Sequence, residues 1–310
     1  MAALGRRRLT IIIVAAVVLV LAATALVIVL TRSTSQPTPA APPTASGSPT
    51  ASPTASTPTG SASPTPTSGR PSTPGTPTSS APPKQPTATA RPPLPPMALP
   101  PNLRGQDIER IPTQDKVVAL TFDAGANDAG LASILSTLAA QHVPATFFLT
   151  GAWAKAHPAD VAQIAAGGHR VGNHSMTHPD MTTLTDAQIA AELSSAQAAI
   201  RADGVDPRPF FRFPSGARNA RTIAAVNASG YAAIRWTVDS LGWQGTVGGT
   251  RGAPSVIQRV MNAIQPGEIV LMHVGSNPDD GSTLDAAALP GIIDQMRTEG
   301  YTFVTLDALI

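Results

Sequence analysis

Two histidines four residues apart, in His174-Ser175-Met176-Thr177-His178, have the spacing that could do chemistry. One turn of helix or a tight loop points both imidazoles the same way, as a divalent cation needs. Pro179 follows at once and favours a turn that stops there. A metalloprotease reading fails, because HExxH requires Glu where Ser175 stands. No GxSxG elbow occurs, so Ser215 in FRFPSG is not expected to be a nucleophile. Asp123, Arg212, Asp239 and His273 complete the set of suspects. His142, His157 and His169 match no motif and are assigned nothing.

The elements that must position these groups alternate. Lys116–Phe122, Ala145–Leu149, Arg170–Asn173, Phe210–Phe213, Ala232–Val238, Glu268–His273 and Thr302–Val304 read as strands. Helical spacing covers Asp128–His142, Ala159–Ala166, Ala220–Val226, Pro254–Ile264 and Leu284–Glu299. A capping box at Thr185 and Gln188 opens a further long helix that stops near Gly204. Strands alternating with helices predict a parallel sheet covered by helices, and this number of units in one domain predicts an α/β fold, a distorted or incomplete (β/α) barrel. Chemistry in such barrels gathers at the C-terminal strand ends. Asp123, His174, Asp239 and His273 fall at strand exits, and Arg212 lies in the Phe210–Phe213 run.

Five short motifs, in order, resemble those of the polysaccharide deacetylases, carbohydrate esterase family 4. They are Thr121-Phe122-Asp123-Ala124-Gly125, Gly172-Asn173-His174-Ser175-Met176-Thr177-His178, Arg212-Phe213-Pro214-Ser215-Gly216, Asp239-Ser240-Leu241-Gly242-Trp243 and Leu271-Met272-His273. The resemblance implies a metal, commonly zinc, held by His174 and His178. It implies Asp123 as general base oriented by Arg212, and His273 as general acid with Asp239 in the polar network behind it. Trp243 and Leu271 would wall a pocket for the acetyl methyl, and the Ser215 N–H would face an oxyanion. Read without the resemblance, Asp123 could cap a helix, Arg212 and Asp239 could form a buried ion pair, and Trp243 could be core packing.

Two positions depart from the family pattern. Gly242 stands where the fourth motif has a second Asp, and Ala124 stands where the first has the third metal ligand. Three outcomes are open for Ala124: extra water on the metal, Asp123 moving onto it, or a substitute ligand. Asp128 is the expected substitute, with a helix N-cap as the competing reading. The function implied is metal-dependent N-deacetylation of wall or extracellular polysaccharide such as peptidoglycan. O-deacetylation, or an inactive polysaccharide-binding module that kept the groove, are the alternatives.

The rest of the chain concerns delivery. Residues 1–8 read as a cytoplasmic tail. Leu9–Leu30 is 22 residues without charge, the length of a bilayer-spanning helix. Arg6, Arg7 and Arg8 precede it, so the positive-inside bias places the C-terminal part outside the cell membrane; Ala23-Thr24-Ala25 leaves cleavage open. Residues 31–103 read as a Pro/Thr/Ser-rich stalk: 21 of the chain's 32 prolines lie between Ser33 and Pro101, too few large apolar residues accompany them for a core, and the globular domain is expected over 104–310. Before Asp107 there are eight Lys and Arg and no acid, which leaves 13 basic against 19 acidic residues, a net −6, for the remainder. An acidic globular part has no footprint for nucleic acid. With no cysteine, disulfides and thiolate metal sites are excluded.

Overall fold

The computed structural model describes residues 99–310. The expected tail, membrane span and most of the stalk lie outside the described residues. Among the described residues, no helix is long and apolar enough to cross a membrane. Leu99 and Leu103 are both buried, so the packed domain reaches back past Arg104.

Among the described residues, nine strands form one curled sheet. In chain order they are β1 (Asp107–Ile108), β2 (Val117–Ala124), β3 (Thr146–Leu149), β4 (Arg170–Asn173), β5 (Phe210–Phe211), β6 (Ala232–Ile234), β7 (Val238–Asp239), β8 (Glu268–His273) and β9 (Thr302–Phe303). The spatial order is β1-β6-β5-β4-β3-β2-β8-β7, with β9 also on β2, and every strand pair is parallel. The segment after β1 closes the curl: Arg110 bridges Glu268, and the Ile111 N–H donates to the Gly267 carbonyl at 2.8 Å. The expected incomplete barrel is a parallel-stranded, curled half-barrel.

Helices cover the outside: α1 (Leu131–Ala140), α2 (Gly151–Ala156), α3 (Pro158–Ala166), α4 (Asp186–Ala202), α5 (Ala220–Ala228), α6 (Ala253–Met261) and α7 (Leu284–Thr298). The main core lies between β2, β3 and β8 and the helices α1 and α7, around Leu120, Phe122, Phe147, Val270, Leu289 and Ile293. Thr185 accepts from the Gln188 N–H and Gln188 answers, the capping box that starts α4.

Three local expectations fail for visible reasons. Phe210–Phe213 pairs only over its first two residues, because Pro214 opens a 3-10 turn. Ala232–Val238 is two strands, since its middle, around Trp236, leaves the ladder. The helix α2 was not expected; Thr150 caps it by accepting from the Trp153 N–H at 3.1 Å.

Glu268, at the start of β8, is fully buried. One oxygen accepts from the Gln265 N–H at 3.1 Å, and the other has no hydrogen-bond partner among the described residues. Burial pushes its carboxyl up to about 7. A carboxyl raised on folding stabilises only while protonated, so that contribution is complete below about 4.5 and is lost as pH rises to about 7. The loss is at most about 3 kcal/mol, at 1.36 kcal/mol per pH unit. Glu268→Gln keeps the amide contact and should flatten this fall. Thermal unfolding at pH 5 and pH 8 checks it: the wild type should lose more stability over that span than the variant.

Candidate active site

Parallel register brings the candidate groups together at the C-terminal ends of the strands. Asp123 of β2 lies beside His273 of β8, and Asp239 of β7 lies beside Leu271. Asn173, the last residue of β4, pairs with Leu149 of β3, and the two histidines follow it. A cavity of about 640 Å³ opens over these ends, lined among others by Asp123, His174, His178, Trp243, Leu271 and His273.

Arg212 is fully buried and anchors the site. Its Nη1 donates to Asp123 Oδ1 at 2.7 Å and its Nη2 to the Arg235 carbonyl at 3.0 Å. The guanidinium lies 4.2 Å from the Phe148 ring centroid and 5.7 Å from that of Trp236. Burial alone would raise the Asp123 carboxyl, but Arg212, aided by His174 and His273, more than offsets it and holds Asp123 below its usual value. Asp123 is therefore an anion throughout the neutral range. It does not serve as a helix cap: α1 begins at Leu131 with Gly130 at its N-cap position.

The histidine pair sits on a loop and not on a helical turn. Ser175 and His178 take left-handed backbone, with φ of 68° and 61°. The Asn173 side chain accepts from the Ser175 N–H at 2.8 Å, and the Ser175 hydroxyl accepts from the His178 N–H at 3.0 Å. The two rings meet edge-on with centroids 4.9 Å apart. His174 Nδ1 lies 2.9 Å from the Arg212 carbonyl. A carbonyl only accepts, so Nδ1 carries the proton. Burial drops His174 to about 4, so the ring is neutral at pH 7 and Nε2 presents a lone pair. That lone pair faces Asp123 Oδ2 at 3.4 Å. Two electron-rich atoms facing each other across this distance suit a cation, and His178 is the adjacent second imidazole.

The expected third ligand does not join them. Asp128 is not in the cavity lining, and its Oδ2 lies 3.5 Å from His157 Nδ1 instead. The loop explains why. Asn127 takes the direction toward β8, accepting from the Ser276 N–H at 2.9 Å and donating to its hydroxyl at 3.2 Å, and the next residue turns elsewhere. Nor does Asp128 cap α1 through its side chain. Ala124 is itself fully buried, packed in the layer of Leu120 and Phe122.

His273 Nδ1 lies 3.6 Å from Asp285 Oδ2, and the His273 backbone N–H donates to the same oxygen at 2.8 Å. The other Asp285 oxygen accepts from the Ser240 hydroxyl at 2.6 Å. Asp285 sits in the first turn of α7, far from every motif, and nothing in its sequence context marks it. It also explains Gly242: a Cβ there would lie 2.2 Å from Asp285 Oδ1. A carboxylate delivered by a helix thus fills space next to the position where the fourth motif carries its second Asp. Asp239, expected behind His273, is held by the Leu241 N–H at 2.8 Å and the Trp243 indole N–H at 3.3 Å. It makes no direct ion pair with Arg212, which goes to Asp123 instead. Trp243 is about half exposed and lines the cavity, so it is not core packing.

Other contributors were not legible in sequence. Glu192, on α4, accepts from the Met176 and Thr177 N–H groups at 2.8 and 2.9 Å and clamps the tip of the histidine loop. Gly151 admits that loop closely; a Cβ there would lie 2.4 Å from Met176 Sδ. Trp236 lines the cavity against Gly216. Ser215 lies in the lining, at a left-handed φ of 52°.

Burial alone would lower His273, but the carboxylates of Asp285, Asp123 and Asp239 more than offset it and raise the imidazole above its ordinary value. Removing the Asp285 charge should therefore lower the His273 pKa. NMR titration of the His273 ring in Asp285→Asn checks this. The pKa should fall, and fall further than in Asp239→Asn.

A family profile described as polysaccharide deacetylase matches residues 110–234. A chitooligosaccharide deacetylase of Rhizobium leguminosarum bv. trifolii is 36% identical over 185 residues, 59% of this chain and 81% of that protein. The peptidoglycan-N-acetylmuramic acid deacetylase PdaA of Bacillus subtilis is 31% identical over 199 residues, 64% of this chain and 73% of that protein. Its solved structure, described as a family 4 carbohydrate esterase, has a TM-score of 0.59 at 30% identity, covering 66% of this chain and 84% of that one. A CE4 family pseudoenzyme from Bacillus Anthracis has a TM-score of 0.57 at 31% identity, covering 63% of this chain and 65% of that one. A mutant of that pseudoenzyme is described as having restored enzymatic activity.

Proposed function

This chain belongs to the polysaccharide deacetylase family, hydrolases of carbon–nitrogen bonds other than peptide bonds, and on that premise we propose that it removes N-acetyl groups from wall or extracellular polysaccharide, with peptidoglycan the favoured substrate. The observation that carries the reading is the single cavity in which Asp123, clamped by Arg212, faces His174 on one side and lies in register with His273 on the other. The PdaA relative supports peptidoglycan as the substrate class. Leu9–Leu30 as an anchor and the proline-rich stalk would present the domain to a surface polymer.

His174 and His178 would hold a divalent metal, zinc by the family resemblance. When bound, such an ion lowers the pKa of water toward ~7 and polarises the acetamide carbonyl. Asp123, through Oδ2, takes a proton from the attacking water while Arg212 keeps Oδ1 fixed. The water oxygen bonds to the acetamide carbon, and the Ser215 N–H donates to the oxygen on which charge develops. His273, whose imidazole Asp285 helps raise above its ordinary value, gives its proton to the departing nitrogen as the carbon–nitrogen bond breaks. Acetate and a free amine leave. Trp243 and Leu271, both in the cavity lining, would wall the pocket for the acetyl methyl.

Ala124 favours one second reading, an inactive module that binds polysaccharide in the same groove. The neighbour described as a pseudoenzyme belongs to the same structural set. Acetate release from N-acetylglucosamine oligomers and from peptidoglycan, by protein stripped of metal and titrated with zinc, separates the two. Zinc-dependent release is the expected result, reduced about 10²- to 10⁴-fold in Asp123→Asn. Retained polysaccharide binding with no release at any zinc concentration would establish the inactive module.

Ala124→Asp restores the family's third ligand. Because position 124 is fully buried, the metal-free variant should melt below the wild type, and zinc should return that stability with tighter binding than the wild type shows. Calorimetric titration and melting with and without zinc measure both.

A further inference from the structure

Three potential ligands, Asp128, His157 and Asp160, meet at a second place. His157 Nδ1 lies 3.5 Å from Asp128 Oδ2 and 3.4 Å from Asp160 Oδ2. The ligand atoms of all three lie within 4.8 Å of one another, and this is the one such group of three among the described residues. Both contacts are longer than an ordinary N–H···O hydrogen bond of about 2.7–3.2 Å. They do match another length. A tetrahedral ion bound through N and O at roughly 2.0–2.2 Å sets its ligand atoms roughly 3.3–3.6 Å apart. Octahedral magnesium at about 2.0–2.1 Å would require neighbours only about 3 Å apart.

Charge and placement agree with that geometry. Two carboxylates and one imidazole offer a doubly negative cradle to a doubly positive ion. His157 is the joint between α2 and α3, and Asp160 lies in the first turn of α3. Trp153 stacks on the imidazole, with centroids 4.9 Å apart and planes 27° apart, which fixes the ring's orientation before any ligand arrives. Asp128 comes from the loop after β2, whose Gly125 and Ala126 line the active-site cavity.

We propose that Asp128, His157 and Asp160 form a second divalent-cation site, suited to zinc, that clips the cavity-lining loop after Asp123 to the joint between α2 and α3. Asp128 is about half exposed, so its carboxylate has room to close on the ion. The fourth position is left to water. The site is independent of the catalytic reading and needs neither His174 nor His178.

The stacked indole supplies a local probe. The chain has three tryptophans, so Trp236→Phe with Trp243→Phe leaves Trp153 as the sole emitter. Titrating that full-length protein with Co²⁺ alone should quench Trp153 emission saturably. Asp128→Asn and Asp160→Asn, which leave the stack in place, should each weaken the quenching by about tenfold or more, and His174→Ala should not change it. Quenching indifferent to both Asp changes, or abolished by His174→Ala, would overturn the site. Equilibrium dialysis with zinc on the otherwise unaltered chain gives a second reading. Asp160→Asn should lose one bound equivalent relative to the wild type, and no loss would count against the proposal whatever the cavity binds.

Discussion

The site depends on the buried pair between Arg212 and Asp123. One residue performs three tasks there: its guanidinium fixes the carboxylate, its other nitrogen ties to the Arg235 carbonyl, and its own carbonyl sets the tautomer of His174. A charge pair removed from water gains little net stability, yet removing one partner costs about 3–5 kcal/mol because the other is stranded. The pair is better understood as orientation than as stabilisation. Arg212 Nε remains buried without a hydrogen-bond partner among the described residues, and the Phe148 and Trp236 rings pack near the guanidinium. That asymmetry is tolerable where a fixed carboxylate direction is what the fold must deliver.

The sheet then determines what the pair can meet. Parallel register puts Asp123 level with His273 on one neighbour, while the other neighbour, β3, leads through Leu149 to Asn173 and the histidine loop. No strand supplies the carboxylate behind His273. It comes from the start of α7, and Gly242 leaves room for it. Where the fourth motif departs, the imidazole thus has a buried carboxylate at its backbone and near its ring. Among the described residues the first motif's missing Asp has no such replacement, since Asp128 is directed to His157.

What sequence made legible was local. The capping box at Thr185 and Gln188, the span of Arg170–Asn173 and that of Glu268–His273 are written in short-range chemistry and lie where they were read. The strand exits were also legible, because an apolar run that ends in a charge marks the place where burial stops. Asp285 and Glu192 were not. Each acts from a helix whose sequence looks like any amphipathic surface, and only the tertiary fold aims it at a backbone N–H. Asp128 shows the converse error. Four residues along the chain from Ala124 is close in sequence, but the Asn127–Ser276 contacts turn the loop so that proximity along the chain carries no proximity at the site.

The consequence of Ala124 is electrostatic before it is geometric. An imidazole that ligates a metal contributes a donor atom and no charge, so a doubly positive ion held by His174 and His178, as proposed, would have Asp123, which faces His174, as its nearby anion. Asp123 is also the partner of Arg212, through its other oxygen. The carboxylate can share itself in this way because its two oxygens point to different neighbours, but each favourable interaction lowers its basicity. A site with a second carboxylate divides these duties, one oxygen set for the ion and one for the proton. In the proposed mechanism a single group would balance the Arg212 charge, face the ion and accept a proton. In the proposed mechanism, chemistry at this centre would turn on how much basicity Asp123 retains between the ion and Arg212, whose full burial holds its charge beside the carboxylate.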